Sequence, residues 1–565
     1  MSSTSPLVAF GLYAMAIKQD STPTCPDLQP FSKITDLKTG NVTTKSYATF
    51  EPDFWLLDGN YKIKPADNLT HVGLMSLSMS NAYGLFDIPP VLTVLFGTAH
   101  SSEGLTLKFA QQSTDYANSI LVSYYNASDV LICSDAYNPT GWEFSTNLAV
   151  SNFQKIVITF TSTNKPYRYL RLLEIEFGKL IYFTGSDIKS ASVVEEINPL
   201  SIELPIDTLE LRLYSSDSAF SIISPSGDYA QLRDKQPLDV YETLQSDTVF
   251  IGQFYLDYWE NPSDTEIIFK CIDMTGVLDT IPYMGGIWLT ATTVGALLQS
   301  MFEAISTPYD LDPDLEAAEI KGWIPVCSYR EALQQIAFMA GAYVTCSRSG
   351  IIRIYKTVLA SELSSYDVQI TKSDKGTEQS LTLKTLVTGV EVTAHNYVSN
   401  TSSAELYNGI LPVGTHTITF NAPMHDLSIT GATLTTTGAN YAIVSVASTG
   451  TVTLLGQGYT DTKQVLGVYD TTIDSSVKSN ILSITDATLV TRDNLAAITQ
   501  LVYDYYQQRY LQKVKLYSPT AEVGNSVLVD TLYSRQMAGV VEKLSIDLSG
   551  GFTAQAEIVG GIIPL

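Results

Sequence analysis

The side chains that most often carry out catalysis are sparse and scattered in this sequence. The histidines are far apart, and no H-E-x-x-H pair occurs, which a metalloprotease helix would need. A G-x-S-x-G nucleophile turn and a G-x-x-x-x-G-K-[ST] phosphate loop are also absent. Carboxylates cluster at Glu195-Glu196 and along 310–319, but without a partner that would form a hydrolytic pair across a groove. The sequence therefore predicts no enzyme, no metal site and no cofactor.

The cysteines give no indication of a disulfide framework or of a zinc site. They are odd in number and far apart, and no C-x-x-C pair occurs, whereas disulfide-rich domains and zinc sites use recurrent short spacings. Isolated cysteines of this kind are typical of buried, apolar thiols. We therefore expect buried, unpaired thiols at Cys25, Cys133, Cys271, Cys327 and Cys346.

Sugar binding is the one ligand hypothesis for which the sequence offers a location. Three predicted loops, 81–83, 135–142 and 163–168, carry aromatic and polar side chains. Aromatic rings can stack on a sugar ring, and amide and guanidinium groups can hydrogen-bond to its hydroxyls. The candidates are Tyr83, Tyr137 and Trp142 for stacking, and Asn138 and Arg168 for hydrogen bonding. The alternative is that these side chains pack the end of a β-domain or contact neighbouring subunits.

A β-domain is needed to bring such loops together, and residues 81–178 have the pattern of one. The runs 91–96, 119–126 and 155–161 are rich in β-branched and aromatic residues, as strands are. About eight short strands separated by turns in a segment of this size predict a jelly-roll sandwich. An aromatic-rich run at 50–61 precedes the segment and predicts a small core or a packing edge.

Length and composition indicate several β-rich domains. A chain of 565 residues is too long for one core and predicts about three to five domains. Only 16% of the residues are charged, against about 25% in ordinary soluble domains. Low charge with 33 tyrosines fits domains that bury much of their surface in neighbours. The chain is therefore predicted to be a subunit of a large assembly, with an ordinary secreted β-protein as the alternative.

The net charge of −25 argues against specific nucleic-acid binding, because phosphate contacts need clustered lysine and arginine. The same charge fits plain solubility or an acidic lumen through which DNA slides. The apolar run 7–17 is too short to span a bilayer, and no basic residue precedes it. We therefore expect no signal peptide, no membrane span, and synthesis in a cytoplasm.

The region after residue 178 combines further strands with three helices. Leu209, Leu211 and Leu213 alternate with polar residues, which predicts a strand with one buried face. Ser328 and Glu331 have the spacing of a capping box, which predicts a helix over 329–340 that ends at a left-handed glycine. The other predicted helices are 293–305 and 491–510. Alternation around a glycine turn predicts a C-terminal β-hairpin over 544–558.

Three sequence phrases resemble the hub proteins of phage tails and tail-derived particles, in the late-control-D-like class. They are ELPIDTLELRLYSSD at 203–217, IPVCSYREALQQIAFMAGAYVTCSRSGIIRIY at 324–355 and EVGNSVLVD at 522–530. The resemblance covers roughly 195–355 and 490–560, and more weakly the region between. It is absent from 81–178, which instead resembles discoidin-like, galactose-binding-type modules in GLTLKF at 104–109, KIVITF at 155–160, and RYLR with EIEFG near 168–178.

The resemblances imply a mainly β, multi-domain chain with minor α structure, in which tail-hub β-barrels carry a jelly-roll module. The implied units are 1–80, an N-terminal β and loop region; 81–178, the module; 179–290, the first barrel; 291–364, a helical and β packing domain; 365–487, the second barrel; and 488–565, a helix with the C-terminal hairpin.

The function implied is a structural hub or tail-tip protein that joins the tail tube to the tip. In that family the hub is a homotrimer that contacts the tail tube, distal tail proteins and a tip, spike or tape-measure protein. The location would be the virion, after synthesis in the cytoplasm of a bacterial host, and the module would offer a surface for bacterial glycans. The alternative is a secreted or surface multi-domain carbohydrate-binding protein that works as a monomer.

Overall fold

The computed structural model describes residues 4–563, apart from 31, 39–48, 53, 55–72, 111–112, 202, 216–220, 224–231, 245–246, 306, 473–477, 518–519 and 550. The chain is mainly β with a minor helical part, and its elements form several packed units, as predicted. Most of the aromatic-rich run 50–61 lies outside the described residues.

The first half of the chain is dominated by strands. In chain order they are β1 (Thr4–Tyr13), β2 (Ser21–Thr24), β3 (Leu74–Met79), β4 (Val91–Ser102), β5 (Leu105–Phe109), β6 (Ala117–Tyr125), β7 (Leu131–Tyr137), β8 (Glu143–Ser145), β9 (Val150–Thr163), β10 (Tyr169–Phe183), β11 (Ile188–Glu196), β12 (Thr208–Tyr214), β13 (Pro237–Leu244), β14 (Asp247–Ser263), β15 (Glu266–Ile272), β16 (Pro282–Tyr283) and β17 (Gly286–Thr293).

The second half continues in the same way. Its strands are β18 (Tyr309–Leu311), β19 (Glu319–Ile324), β20 (Cys327–Ser328), β21 (Ala342–Thr345), β22 (Ile352–Lys356), β23 (Val368–Ile370), β24 (Lys375–Leu383), β25 (Gly389–Ala394), β26 (Tyr397–Leu411), β27 (Gly414–Thr419), β28 (Met424–Thr430), β29 (Thr433–Thr437), β30 (Tyr441–Val446), β31 (Gly450–Asp461), β32 (Gln464–Tyr469), β33 (Ile481–Ile484), β34 (Tyr510–Tyr517), β35 (Ser526–Asp530), β36 (Gln536–Asp547) and β37 (Thr553–Ile562).

The helices are α1 (Met15–Asp20), α2 (Met274–Asp279), α3 (Val294–Ile305), α4 (Tyr329–Ala340) and α5 (Leu495–Gln507). The predicted start and end of α4 are confirmed: the capping box of Ser328 and Glu331 is formed, and Gly341 has a left-handed φ of 64°. Helix α5 begins four residues later than predicted, because a turn in which the Thr491 amide donates to Asn494 Oδ1 precedes it. No helix in the described ranges is long and apolar enough to cross a membrane.

The largest sheet draws strands from both ends of the chain. Its order is β24-β34-β37-β36-β11-β12-β15-β14-β13-β1-β10-β5-β8, so the first strand lies inside the sheet, between β13 and β10. Alternation along β1 buries Val8, Phe10 and Leu12 on one face. The Phe10 ring lies 5.5 Å from that of Phe269 on β15, although β13 and β14 separate the two strands in the sheet. The sheet therefore curves around one core, which its C-terminal hairpin β36–β37 also lines.

The barrels expected at 179–290 and 365–487 are not two closed structures. Among the described strands the path of the main sheet does not close. Strands β23 and β24 pair with the C-terminal strands β35 and β34, whereas β25 to β33 form three separate three-stranded sheets. The physical reason is that the apolar faces of segment 179–290 and of the C-terminal strands line one common core. Two closed barrels would need two separate cores.

The predicted sandwich is a two-layered unit. A five-stranded sheet, β2-β4-β9-β6-β7, packs against the end of the main sheet formed by β3, β10, β5 and β8. Between the layers lies one core that includes Leu107, Phe109, Phe153, Phe160 and Leu172. The sandwich takes in β2 and β3, which precede residue 81. Strand β10 serves both units: its first half pairs with β3 and β5, and Gly178 to Phe183 pair with β1.

Candidate functional site

The five residues predicted to bind sugar differ widely in exposure. Tyr83 is 87% exposed, on a turn in which its amide donates to Asn81 Oδ1 at 2.9 Å. Tyr137 ends the edge strand β7 opposite Ile120, and its ring lies 5.7 Å from that of Phe144. Burial, followed by the charge of the nearby Asp135, raises the pKa of Tyr137, so its hydroxyl stays protonated. Both tyrosines lie on the sandwich, but only Tyr83 presents most of its ring to solvent.

Trp142 and Asn138 lie on the connection from β7 to β8. Trp142 is half-buried, and it packs against the core of the sandwich and also against a small apolar cluster around Tyr13 and Tyr241 of the main sheet. Its carbonyl accepts from the amide of Phe109 on β5. Asn138 is exposed. Trp142 therefore joins the sandwich to the main sheet, which is a packing role.

Arg168 is engaged by the protein itself. Its side chain is buried, NH1 donates to the Pro52 carbonyl at 2.8 Å, and Nε lies 3.4 Å from the buried Asp115 carboxylate. The ring of Phe54 lies 5.8 Å from the guanidinium carbon. Arg168 could hydrogen-bond to a sugar hydroxyl only by breaking these contacts.

The short segment 49–52 explains why this end of the sandwich is filled. Glu51 is buried and makes a two-pronged ion pair with Arg171, with NH1 donating to Oε1 at 2.7 Å. The same oxygen accepts from the Tyr169 amide at 2.8 Å. Thr49 Oγ1 in turn donates to Glu51 Oε2 at 2.7 Å. This segment thus supplies the carboxylate that pairs with Arg171 on β10 and the carbonyl that accepts from Arg168.

Tyr167 is a surface aromatic that the sequence reasoning missed. It is 41% exposed, and its backbone has a left-handed φ of 53°. Its amide donates to the Asn81 carbonyl at 3.3 Å, so Tyr167 is hydrogen-bonded to the turn that carries Tyr83. Asn81 also donates to Asp87 Oδ1 at 3.3 Å. The available sequence clue was the Asn-Lys-Pro turn at 164–166, which places the next residue at the end of the sandwich.

A polar cavity of about 430 Å³ lies away from the sandwich. Tyr343, Tyr355 and Tyr505 line it together with carboxylates that have internal partners. The Tyr505 hydroxyl donates to Glu542 Oε1 at 2.7 Å, and Asp367 Oδ2 accepts from the Ser526 hydroxyl at 2.7 Å. These hydrogen bonds hold the walls of the cavity together.

The metal-ligating residue types do not converge. No group of three or more His, Cys, Asp or Glu side chains in the described ranges is placed to hold a metal ion. His395 is buried between Asp461 Oδ2 at 2.8 Å and the Thr485 carbonyl at 3.0 Å. The five cysteines are unpaired; Cys271 and Cys346 are buried, and the other three are half-buried.

No family model and no curated protein matches the chain. Among solved structures, the chain is similar to a tail protein from Neisseria meningitidis, with 12% identity, 67% of this chain and 93% of that chain covered, and a TM-score of 0.40. A 43 kDa tail protein of prophage MuSo2 from Shewanella oneidensis has 11% identity, coverages of 68% and 96%, and a TM-score of 0.40.

A family 32 carbohydrate-binding module from C. perfringens NanJ, solved with galactose, is a further similar structure. It has 11% identity, covers 31% of this chain and 99% of its own, and has a TM-score of 0.18. The structures to which this chain is similar thus include tail proteins and a carbohydrate-binding module.

Proposed function

We propose that this chain is a structural hub or tail-tip protein of a phage tail or a tail-like particle, with no enzymatic activity. The observation that carries the proposal is the contact between the three hub-like sequence phrases. Arg330 on α4 donates to the Leu204 carbonyl, and Arg353 on β22 lies 3.2 Å from Glu522 Oε2. The Tyr343 hydroxyl donates to the Gly524 carbonyl at 3.5 Å. Phrases separated by more than a hundred residues therefore form one structural unit.

This unit can serve as a structural frame, because it is built on one continuous sheet. One sheet joins β1, the strands around residue 210 and the C-terminal hairpin, so the first and last strands both lie inside it. In the proposed role, three copies form a ring that meets the tail tube and distal tail proteins on one side. On the other side the ring meets a tip, spike or tape-measure protein. The chain would be made in the cytoplasm of a bacterial host and would reside in the virion.

The stoichiometry of the particle tests the hub proposal. We expect native mass measurement of purified tail tips to give a copy number for this chain that is a multiple of three. Imaging of the same sample should place the chain in a ring with threefold symmetry. A different copy number would contradict the hub proposal. An isolated chain that stays monomeric, and is absent from particles, would favour the secreted carbohydrate-binding alternative.

We further propose that the sandwich offers a surface for a bacterial cell-surface glycan. The support is the exposed ring of Tyr83, which lies on a turn that is hydrogen-bonded to the partly exposed Tyr167. Exposed aromatic rings can stack on sugars at low entropic cost. Of the remaining sequence candidates, Tyr137 and Asn138 stay at the margin of this surface as proposed contacts. Trp142 and Arg168 have internal partners, so we assign them to the scaffold.

A further inference from the structure

A group of charged side chains is buried where the sandwich joins the rest of the main sheet. On α1, Lys18 donates to Glu176 and lies 2.6 Å from Glu174 Oε1, and both glutamates are on β10. On β5, the Lys108 ammonium lies 3.2 Å from the other Glu174 oxygen and 3.9 Å from Glu143 Oε1 on β8. These five side chains expose only 6 to 17% of their surface. We call them, with Asp239, the junction group.

The junction group reaches across β10 to strands that belong only to the main sheet. The ring of Tyr13 on β1 lies 6.0 Å from Lys108 Nζ. On β13, Asp239 accepts from Gln253 at 2.8 Å, and Gln253 accepts from the Tyr255 hydroxyl at 2.8 Å. Further titratable groups that face it from these strands are Tyr182 on β10 and Tyr241 on β13. The group therefore spans the boundary between the two units.

Carboxyl groups outnumber ammonium groups in this buried region. Glu143, Glu174, Glu176 and Asp239 share two lysines. Glu143 Oε1 and Glu176 Oε2 are buried and have no hydrogen-bond partner among the described residues. A buried carboxylate without partners is costly, and the neutral acid is favoured instead.

The pKa values follow this geometry. Burial, with the added charge of Glu174, raises the pKa of Glu176 to about 8. Burial, with the charges of Asp239 and Glu174, raises that of Glu143 to about 7. For Glu174, the attraction of Lys108 and Lys18 outweighs burial and lowers the pKa. The two lysines therefore keep Glu174 ionised, while Glu143 and Glu176 are the groups that gain or lose a proton near neutral pH.

We propose that the junction group is a proton-dependent latch that holds the sandwich against the main sheet. When Glu143 and Glu176 are protonated, the remaining carboxyl groups that face the two ammonium groups are Glu174 and Asp239, and burial raises the pKa of Asp239 too. The buried charges balance once Asp239 is ionised. Ionisation of both Glu143 and Glu176 adds two negative charges, and one oxygen of each carboxylate, Glu143 Oε1 and Glu176 Oε2, has no hydrogen-bond partner among the described residues. Water can reach these oxygens only if β5, β8 and α1 separate from the strands beside them. The latch is therefore closed in mildly acidic solution and opens as the solution becomes alkaline.

The direction of the pH dependence follows from proton linkage. Because both pKa values are higher in the closed form than in an exposed glutamate, the closed form binds more protons than the open form. The resulting stabilisation is complete below the pKa of an exposed glutamate. It is lost progressively as the pH rises to about 7 for Glu143 and about 8 for Glu176. Between pH 6 and 8 the opening constant should rise about tenfold or more.

Amide hydrogen exchange of the full chain tests the latch. After correction for intrinsic rates, wild-type amides in 15–20, 105–109 and 143–145 should exchange at least about tenfold faster at pH 8 than at pH 6. Glu176→Gln and Glu143→Gln fix the neutral form of each side chain, and each should reduce this pH dependence. The double variant should abolish it.

A matched control is Glu242→Gln on β13. Glu242 is also buried with unpartnered oxygens, and burial raises its pKa to about 7, but it is not part of the junction group. Its replacement should leave the pH dependence at the junction unchanged. The proposal is overturned if wild-type exchange at the junction does not change with pH, or if the double variant retains the wild-type dependence.

Discussion

Arg171 lies on β10 and Arg168 lies just before that strand, and only their partners reveal what they do. An arginine near a predicted loop is equally suited to bind a ligand hydroxyl or an internal carboxylate. Glu51, the partner of Arg171, lies 120 residues earlier in the chain. Asp115, which lies beside Arg168, is on a different turn of the sandwich. The sequence could place these arginines at the end of a sandwich, but it could not pair them, because side-chain pairing depends on the tertiary fold.

The buried ion pair between Arg171 and Glu51 should contribute strongly to the stability of the sandwich. Arg171→Ala leaves the Glu51 carboxylate buried without its partner, and such a change typically costs about 3–5 kcal/mol. We expect the chemical unfolding transition of the sandwich to move accordingly. Lys321→Ala, which removes an exposed pair with Asp493, is the control and should leave the unfolding transition nearly unchanged. Equal losses of stability in the two variants would contradict the claim that Glu51 depends on Arg171 as its partner.

The exposed and the half-buried aromatic residues should respond differently to truncation. Tyr83→Ala removes an exposed ring and should weaken retention on host cell-wall glycan by about fivefold, equivalent to about 1 kcal/mol, without changing thermal stability. Trp142→Ala removes packing against both units and should lower thermal stability. Glycan pulldown and thermal denaturation of the full chain measure the two effects. Unchanged retention of the Tyr83 variant would favour an assembly contact over sugar binding.

Local signals explain which elements the sequence could predict. The ends of α4 depend on residues within one or two turns, and the C-terminal hairpin depends on one short turn, so both were predicted correctly. The partners of β1 could not be predicted, because β13 and β10 lie more than 150 residues away and many strands have similar alternation. The same limitation applies to β23 and β24, which pair with C-terminal strands.

The cap of α4 can be tested directly. Ser328 Oγ accepts from the Glu331 amide at 3.1 Å and donates to Asp279 Oδ1 at 3.1 Å, so it also ties α4 to the end of α2. Ser328→Ala should lower the stability of this helical unit by about 1 kcal/mol. Ser328→Thr keeps a hydroxyl and is the matched control. If chemical denaturation gives the same stability for the alanine and threonine variants, the cap does not contribute as argued.

At the scale of the molecule, the sandwich begins earlier than the segment 81–178. Strand β2 pairs with β4, and β3 pairs with β10, so both layers use residues before 81. A fragment of residues 14–178 should therefore unfold cooperatively. A fragment of 81–178 lacks two strands and should not show a cooperative transition. Circular dichroism during thermal denaturation compares the two. Equally cooperative unfolding would show that the earlier strands are dispensable and that the boundary 81–178 is sufficient.

Strand β10 is fifteen residues long and belongs to both units. A mechanical load applied to the sandwich along this strand would pass directly into β1, which lies antiparallel to it from Val8 to Tyr13. In that geometry the hydrogen bonds between β10 and β1 are sheared together and share the force, whereas bonds at an edge strand would be peeled apart one by one. A particle that grips its host through the sandwich would therefore transmit the pull to the centre of its frame.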